Sequence, residues 1–193
     1  MYLKYPLSWT ALALAVALTG TAAQASMPAN LPADQSVGAI EQVHAFHDAM
    51  PTGVSVTETG RIFVNFPRWG DEVPFTVAEL RDGNVVPYPD QAINQANPKD
   101  PAKGFISVQS VVADGRGHLW ILDTAAPGFS SPQPGGAKLV AVDLATNKVV
   151  KTLVFPKNVM LPGTYVNDMR FDFRVGDQGV IYITDSSLSL IHI

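Results

Sequence analysis

The chain has 193 residues, enough for one ordinary domain, and carries 13 basic and 17 acidic residues for a formal net charge of −4. This modest acidity, with no basic patch, excludes nucleic acid as an expected partner. Cysteine is absent, which excludes disulfides, thiolate metal sites and thiol catalysis, and 15 glycines with 15 prolines indicate a chain rich in turns.

Residues 1–25 have the pattern of a secretory signal peptide. Lys4 is the only charge before a continuous apolar run from Ala11 to Leu18, and Ala23-Gln24-Ala25 fits the small-x-small cleavage pattern. We therefore predict cleavage after Ala25 and a secreted or periplasmic protein that makes no membrane contact after cleavage. An uncleaved membrane anchor is the alternative, although the apolar run is short for crossing a bilayer.

The next segments alternate apolar stretches with turn signals. Val37–Phe46 has an apolar pattern that favours a strand, with a short helix as the alternative. Gly53–Phe66 predicts a hairpin, and Phe75–Leu80 with Asn84–Tyr88 predicts a second hairpin around an Arg-Asp-Gly-Asn turn. These four strands would form one antiparallel sheet.

The same four-strand plan follows in the middle of the chain. Ser107–Thr124 predicts a hairpin around Asp-Gly-Arg-Gly, and Ala137–Leu144 pairs with Lys148–Phe155 around Ala-Thr-Asn. Asn167–Asp185 then predicts a third inner hairpin with a longer turn.

The three inner hairpins repeat one pattern. Their turn glycines, Gly60, Gly117 and Gly179, are 57 and 62 residues apart, and an apolar-aromatic-apolar triplet follows each of them. A strand-built repeat of this size is typical of a β-propeller, whose blades have four strands. We therefore predict an all-β fold with about two and a half blades in this chain. Chance similarity between short hairpins is the alternative.

The C-terminal end bears on the domain organisation. A propeller closes with about four to eight blades, so we predict that residues 26–187 are the N-terminal part of a truncated propeller domain. The last six residues, LSLIHI (Leu188–Ile193), match one reading frame of a transposase adapter used in sequencing libraries. This match predicts a non-native tail over residues 188–193, and a genuine strand in SLSLIHI is the alternative.

Several sequence blocks carry a resemblance to a known family. They are TGRIFVNFPRW (Thr59–Trp69), SVQSVVADGRGHLWILDT (Ser107–Thr124), KLVAVDLATNKVVKTLVFP (Lys138–Pro156), VNDMRFDFR (Val166–Arg174) and IYITDSS (Ile181–Ser187). In this order the blocks resemble the major royal jelly/yellow protein family, in its bacterial branch. The resemblance implies a six-bladed β-propeller that is secreted. It also implies a spread of functions, since similar insect proteins include dopachrome-converting enzymes, binders of biogenic amines and nutritive proteins, while bacterial members are described by analogy with gluconolactonases.

Propellers bind ligands at one mouth of the central channel, on loops and inner-strand ends. The candidate ligand-binding residues at such positions are Arg68, Trp69, Gln109, Asp123, Asn167 and Asp185. Arg68 and Trp69 would form a cation–π pair or an aromatic wall, with a Trp packed under the loop as the alternative. Asp123 and Asp185 recur at strand ends, where capping of a turn is the alternative role.

Similarity to lactonase-type propellers implies a metal ligand at Asn167. The same similarity puts Gln109 where those enzymes have a second asparagine, whereas their glutamate ligand has no match near Thr52 and Gly53. Amide and carboxylate oxygens suit Ca²⁺ or another divalent cation, which is the one cofactor that the sequence suggests. Hydrogen bonding to the loops between blades is the alternative role for Asn167 and Gln109.

Two functional interpretations follow, and the sequence leaves open whether the protein is an enzyme. The first is a secreted binding protein that holds a small aromatic or amine ligand at the channel mouth. The second is a metal-assisted lactonase-like hydrolase of the gluconolactonase type, or a dopachrome-converting isomerase. The sequence shows neither a Ser–His–Asp order nor a metal-spaced His pair, so we predict no hydrolase triad. An interaction scaffold with an inert channel is a third interpretation.

Overall fold

The computed structural model describes residues 38–187 and 190–193, so the predicted signal peptide lies outside the described residues. Residues 42–193 form one unit. Its strands are β1 (Gly53–Val56), β2 (Ile62–Asn65), β3 (Val77–Arg81), β4 (Asn84–Pro87), β5 (Val108–Ala113), β6 (His118–Asp123), β7 (Lys138–Asp143), β8 (Lys148–Val154), β9 (Val166–Asp172), β10 (Val180–Asp185) and β11 (Leu190–His192). Single turns of 3-10 helix lie at Pro101–Lys103 and Pro127–Phe129. In this part of the chain no helix has the length and apolarity that a bilayer span requires.

The strands form three antiparallel sheets, and in each sheet the spatial order follows the chain. The first sheet contains β1 to β4, the second β5 to β8, and the third β9 to β11. A sheet of four sequential antiparallel strands is the unit of a propeller blade. The all-β prediction of successive blades is therefore confirmed for the first two repeats, and the third repeat contributes three strands.

The first strands of successive sheets lie side by side, β1 against β5 and β5 against β9. The Ala113 N–H donates to Ser55 Oγ at 2.8 Å, which links β5 to β1. The Ser110 hydroxyl donates to Asp168 Oδ1 at 2.8 Å, which links β5 to β9. Together the three inner strands line one polar cavity, as expected for blades arranged around a channel.

The middle strand β6 explains the repeated apolar-aromatic-apolar triplet. Successive side chains on a strand point to opposite faces of the sheet. Leu119 and Ile121 enter the core that the second sheet shares with Phe63 and Val77 of the first sheet. Trp120 and Leu122 instead pack with residues of the third sheet, including Met169 and Ile183. Both faces of this sheet are therefore buried, and each fully buried aliphatic side chain contributes about 1.5–3 kcal/mol to folding.

Connections alternate between two ends of the sheets, because each meander reverses direction at every turn. The tight turns within residues 57–61, 82–83, 114–117, 144–147 and 173–179 lie at one end, which we call the turn face. The longer connections, residues 66–76, 88–107, 124–137 and 155–165, lie at the other end, which we call the loop face. The loop face is where a propeller would carry its ligand site.

The three repeat glycines occupy corresponding corners of the turn face. Gly60, Gly117 and Gly179 have φ angles of 83°, 91° and 79°, the left-handed conformation that favours glycine. At the preceding strand end, Thr57 Oγ1, Asp114 Oδ1 and Asp172 Oδ1 each accept a backbone N–H of the turn. The equivalence of the three hairpins, predicted from their spacing, is confirmed.

Two segments refine the sequence-based expectations. The strand predicted at Val37–Phe46 is wrong over its described part, because residues 38–46 form no strand and Ile40 and Val43 are exposed. Phe46 of this stretch packs on the first sheet, with its ring centroid 5.7 Å from that of Phe66. At the other end, the interpretation of SLSLIHI as a strand corresponds to β11, which pairs with β10.

Candidate ligand site at the loop face

Aromatic side chains from all three repeats meet at the loop face. Trp69 lies in the loop after β2, Phe129 in the loop after β6, and Tyr165 directly before β9. The Trp69 and Phe129 rings are stacked, with centroids 5.0 Å apart and planes inclined by 23°. The Phe129 ring lies 5.4 Å from the Tyr165 ring. We call Trp69, Phe129 and Tyr165 the aromatic cluster.

A chain of hydrogen bonds fixes the inner side of this cluster. Trp69 Nε1 donates to the Tyr165 hydroxyl oxygen at 2.7 Å, and the Tyr165 hydroxyl donates to Gln109 Oε1 at 2.9 Å. Burial raises the pKa of the Tyr165 hydroxyl, although the bond from Trp69 opposes this rise. Tyr165 therefore keeps its proton near neutral pH and remains a donor to Gln109.

The outer side of the cluster is open to solvent. The Phe129 side chain is 63% exposed, although phenylalanine is usually buried. Its backbone has a φ of 58°, and the preceding Gly128 has a φ of 60°. A bulky residue in this region costs about 1–3 kcal/mol, so the surrounding structure must hold it there. The Gly128 N–H donates to the Arg68 carbonyl at 2.7 Å, which ties this turn to the loop that carries Trp69.

Arg68 holds these loops from beneath. Its Nε donates to the Ile106 carbonyl at 3.0 Å, and its terminal nitrogens donate to the carbonyls of Val73 and Asn94. Its backbone N–H donates to Ser107 Oγ at 3.0 Å. Burial lowers the pKa of the guanidinium, with the charge of Asp123 acting in the opposite direction. The guanidinium is thus engaged with backbone, and the structure gives Arg68 a positioning role next to Trp69.

A polar cavity of about 500 Å³ is lined by the inner strands β1, β5 and β9. Gln109, Asn167, Asp168 and Arg170 contribute to its wall. Asp168 pairs with Arg170 at 2.9 Å, whereas the Asn167 side chain makes no hydrogen bond within residues 38–187 and 190–193. Gln109 belongs to both this wall and the hydrogen-bond chain of the aromatic cluster, so it joins the two parts of the candidate site.

Asp123 and Asp185 lie at equivalent ends of β6 and β10, and both carboxylates engage the chain itself. Asp123 Oδ1 accepts the N–H groups of Ser107 and Ala125, and its Oδ2 accepts Ile106 N–H. Asp185 Oδ1 correspondingly accepts the N–H groups of Tyr165 and Ser187. This geometry favours the capping role for both aspartates, and we leave them out of the proposed ligand site.

The predicted metal site gains no further ligand. Among the described residues, no group of three or more histidines, aspartates and glutamates is arranged to hold a metal ion. Asn167 as a metal ligand therefore stays a prediction.

Sequence patterns indicated Trp69 and Gln109 as candidate site residues but did not indicate Phe129 and Tyr165. Two weak signals pointed to them. Phe129 is the one large apolar residue in a loop of Pro, Gly and Ser, and Tyr165 directly precedes the VNDM block.

Comparison with known proteins gives a consistent result. Residues 106–193 match the family model described as Major royal jelly protein. The chain is 29% identical to Protein yellow of Drosophila subobscura over 159 residues, which cover 75% of this chain and 28% of that protein. It is 27% identical to Protein yellow of Drosophila melanogaster over 148 residues, which cover 72% of this chain and 27% of that protein. The chain thus spans little more than a quarter of the length of these relatives.

Proposed function

Because the chain belongs to the major royal jelly/yellow family, we propose that it is a propeller of this type that binds a small aromatic molecule at the mouth of the central channel. The observation that carries this proposal is the aromatic cluster. Phe129 presents an exposed ring in a strained backbone conformation, stacked on Trp69 and braced by Tyr165. Such a ring offers an open face on which a planar ligand stacks.

The polar cavity that Gln109 lines supports the same proposal. Ligand sites combine apolar or aromatic walls with a few placed polar groups. Here the polar groups are Gln109 and Asn167, which line the cavity next to the tyrosine that completes the aromatic wall. The bond between Tyr165 and Gln109 connects the aromatic cluster to these amides, so the ring of a ligand would contact the cluster while its polar end enters the cavity.

The test uses a neutral aromatic probe and its saturated counterpart. The purified protein is titrated with p-cresol and with 4-methylcyclohexanol, and binding is measured by calorimetry. We expect p-cresol to bind and the saturated alcohol to bind much more weakly. The variant Phe129→Leu should weaken p-cresol binding about fivefold, since aromatic pairs contribute on the order of 1 kcal/mol beyond the area they bury and a tenfold change corresponds to about 1.4 kcal/mol.

Phe173→Leu is the matched control, because Phe173 is a half-buried ring at the turn face. It should leave the affinity for p-cresol unchanged. Equal binding of the two probes, or unchanged affinity in Phe129→Leu, would contradict the proposal.

We also propose that the chain is exported and that it contributes to a six-bladed ring. The support for export is the signal-peptide pattern of residues 1–25, and the support for six blades is the family resemblance together with the four-stranded sheets. N-terminal sequencing of protein recovered outside the cytoplasm tests the first point. A mature chain that begins at Ser26 is the expected result, and an intact Met1 would contradict it.

A further inference from the structure

The orientation of the Gln109 amide follows from its neighbours. An indole N–H is only a donor, so the Tyr165 oxygen must accept from Trp69, and the hydroxyl hydrogen of Tyr165 then needs an acceptor. Gln109 Oε1 is that acceptor at 2.9 Å. The opposite orientation of the amide would leave the Tyr165 hydrogen without a partner. Trp69 and Tyr165 therefore fix which end of Gln109 remains free.

The free end of Gln109 is a donor. Gln109 is only 7% exposed, it lines the polar cavity, and its NH₂ group has no hydrogen-bond partner among the described residues. The Gln109 amide nitrogen is not among the buried unpaired polar atoms of the described residues, so water reaches it from the cavity, and an acceptor on a ligand would take the place of that water. An ammonium group is itself only a donor and cannot accept from this nitrogen.

The other charged groups of the cavity do not favour a cation. The Asp168 carboxylate is the negative charge in this wall, and it already accepts from the Ser110 hydroxyl, the Met169 N–H and Arg170. Arg170 uses only Nη1 within the described residues, so the remaining N–H groups of its guanidinium stay available as donors. The cavity wall thus holds more unused donors than unused carboxylate oxygens. The Asn167 amide can turn either end toward a ligand.

Resting on the proposed function, we infer that this site selects aromatic molecules whose polar end accepts hydrogen bonds, such as a carboxylate, over otherwise identical amines. Gln109 is the residue that determines this specificity. Trp69 and Tyr165 act through it, because they hold its oxygen and so keep its NH₂ group directed to the ligand.

The experiment compares two probes that share the phenol ring and the two-carbon spacer. Calorimetry at neutral pH measures binding of 3-(4-hydroxyphenyl)propanoate and of tyramine to the purified protein, with p-cresol as the reference. We expect the acid to bind at least tenfold more tightly than the amine.

Two substitutions at Gln109 distinguish the effect of its NH₂ donor from the effect of its side-chain shape. Gln109→Glu keeps an acceptor for Tyr165 but replaces the donor by a second oxygen, so the preference should reverse in favour of tyramine. Gln109→Met removes the donor without adding charge and should reduce the ratio of the two affinities to less than threefold. Gln91→Glu adds the same charge at an exposed position outside the cavity and should leave the ratio unchanged.

The outcomes distinguish the inference from the function on which it rests. If p-cresol binds but the acid binds no more tightly than tyramine, the inference is overturned while the aromatic site stands. If the preference for the acid persists in both Gln109 variants, Gln109 is not the specificity-determining residue. If none of the three probes binds, the proposed function fails together with the inference.

Discussion

The loop face and the turn face of this molecule are built on different principles. At the turn face, one arrangement occurs three times, with a left-handed glycine and a side-chain oxygen that accepts the backbone of the turn. At the loop face, each connection has its own length and course, and the aromatic cluster takes one residue from each repeat. Repetition therefore builds the scaffold, whereas the residues available for a ligand come from the parts that do not repeat.

The loop face also contains a fully buried ion pair. Lys138 and Asp123 are fully buried, and Lys138 Nζ donates to Asp123 Oδ2 at 2.8 Å. The same ammonium, which has three N–H donors to share, lies within 3.1 Å of the carbonyl oxygens of Pro101, Gly104 and Gly136, and these contacts anchor two connections to the second sheet.

Removal of Asp123 should have the largest effect on stability. Asp123→Ala leaves the buried Lys138 charge without its partner, and we expect the free energy of unfolding to fall by about 3–5 kcal/mol, measured by urea denaturation. The control is Asp100→Ala, which breaks an exposed pair with Lys103 at 3.2 Å and should cost less than about 1 kcal/mol. Similar losses in the two variants would remove the distinction between the buried pair and the surface pair.

Alanine substitutions at the three repeat glycines test whether the three hairpin turns of the turn face are equivalent. Gly60→Ala and Gly117→Ala should each cost about 1–2 kcal/mol, because a Cβ in the left-handed region is strained even where no atom lies within 4 Å of it. Gly179→Ala should cost more, since its Cβ would lie 2.7 Å from Phe173 Cδ1. Thermal unfolding of the three variants measures this order. A large difference between Gly60→Ala and Gly117→Ala would contradict the equivalence of the hairpins.

The smallest expected effect is on stability at acidic pH, where Glu79 becomes protonated. Burial raises the pKa of Glu79, but hydrogen bonds from Arg61 and Arg81 outweigh burial and leave this pKa below its ordinary value of 4.5. The unfolded state then binds the proton more readily, so the stability that Glu79 contributes is complete above about pH 4.5 and is lost as the pH falls through the folded-state pKa. In Glu79→Gln the decline in stability between pH 5 and pH 3 should be shallower than in the unmodified protein. Urea denaturation across this range measures it, and the exposed Glu58→Gln, which should retain the full decline, is the control.

The sequence predicted the scaffold well because the scaffold depends on local patterns. A strand such as β6, which is buried on both faces, needs a run of large apolar residues, and a tight turn next to it needs glycine. The apolar run and the turn glycine lie within a few residues of one another in the sequence. The strand predicted at Val37–Phe46 had the apolar pattern alone, and in the described residues 38–46 no neighbouring strand pairs with it.

The candidate site was predicted only in part, because its assembly depends on the course of loops. Nothing in the local sequence of Tyr165 indicates that Trp69, 96 residues earlier, will donate to its hydroxyl. The role of Asp123 was equally ambiguous in the sequence, because the carboxylate oxygens of a strand-end aspartate accept hydrogen bonds either from a ligand or from backbone N–H groups. Its buried ion pair with Lys138 favours the structural role, and that contact exists only in the folded sheet.

The neighbouring side chains Trp120 and Ile121 belong to different cores, one on each side of the second sheet. Loosening of the first sheet would therefore uncover Ile121 while Trp120 stays packed against the third sheet. We therefore expect cooperativity in this molecule to act between neighbouring sheets, as in a row of coupled repeats. A local defect weakens with distance along the row instead of melting all of its members at once.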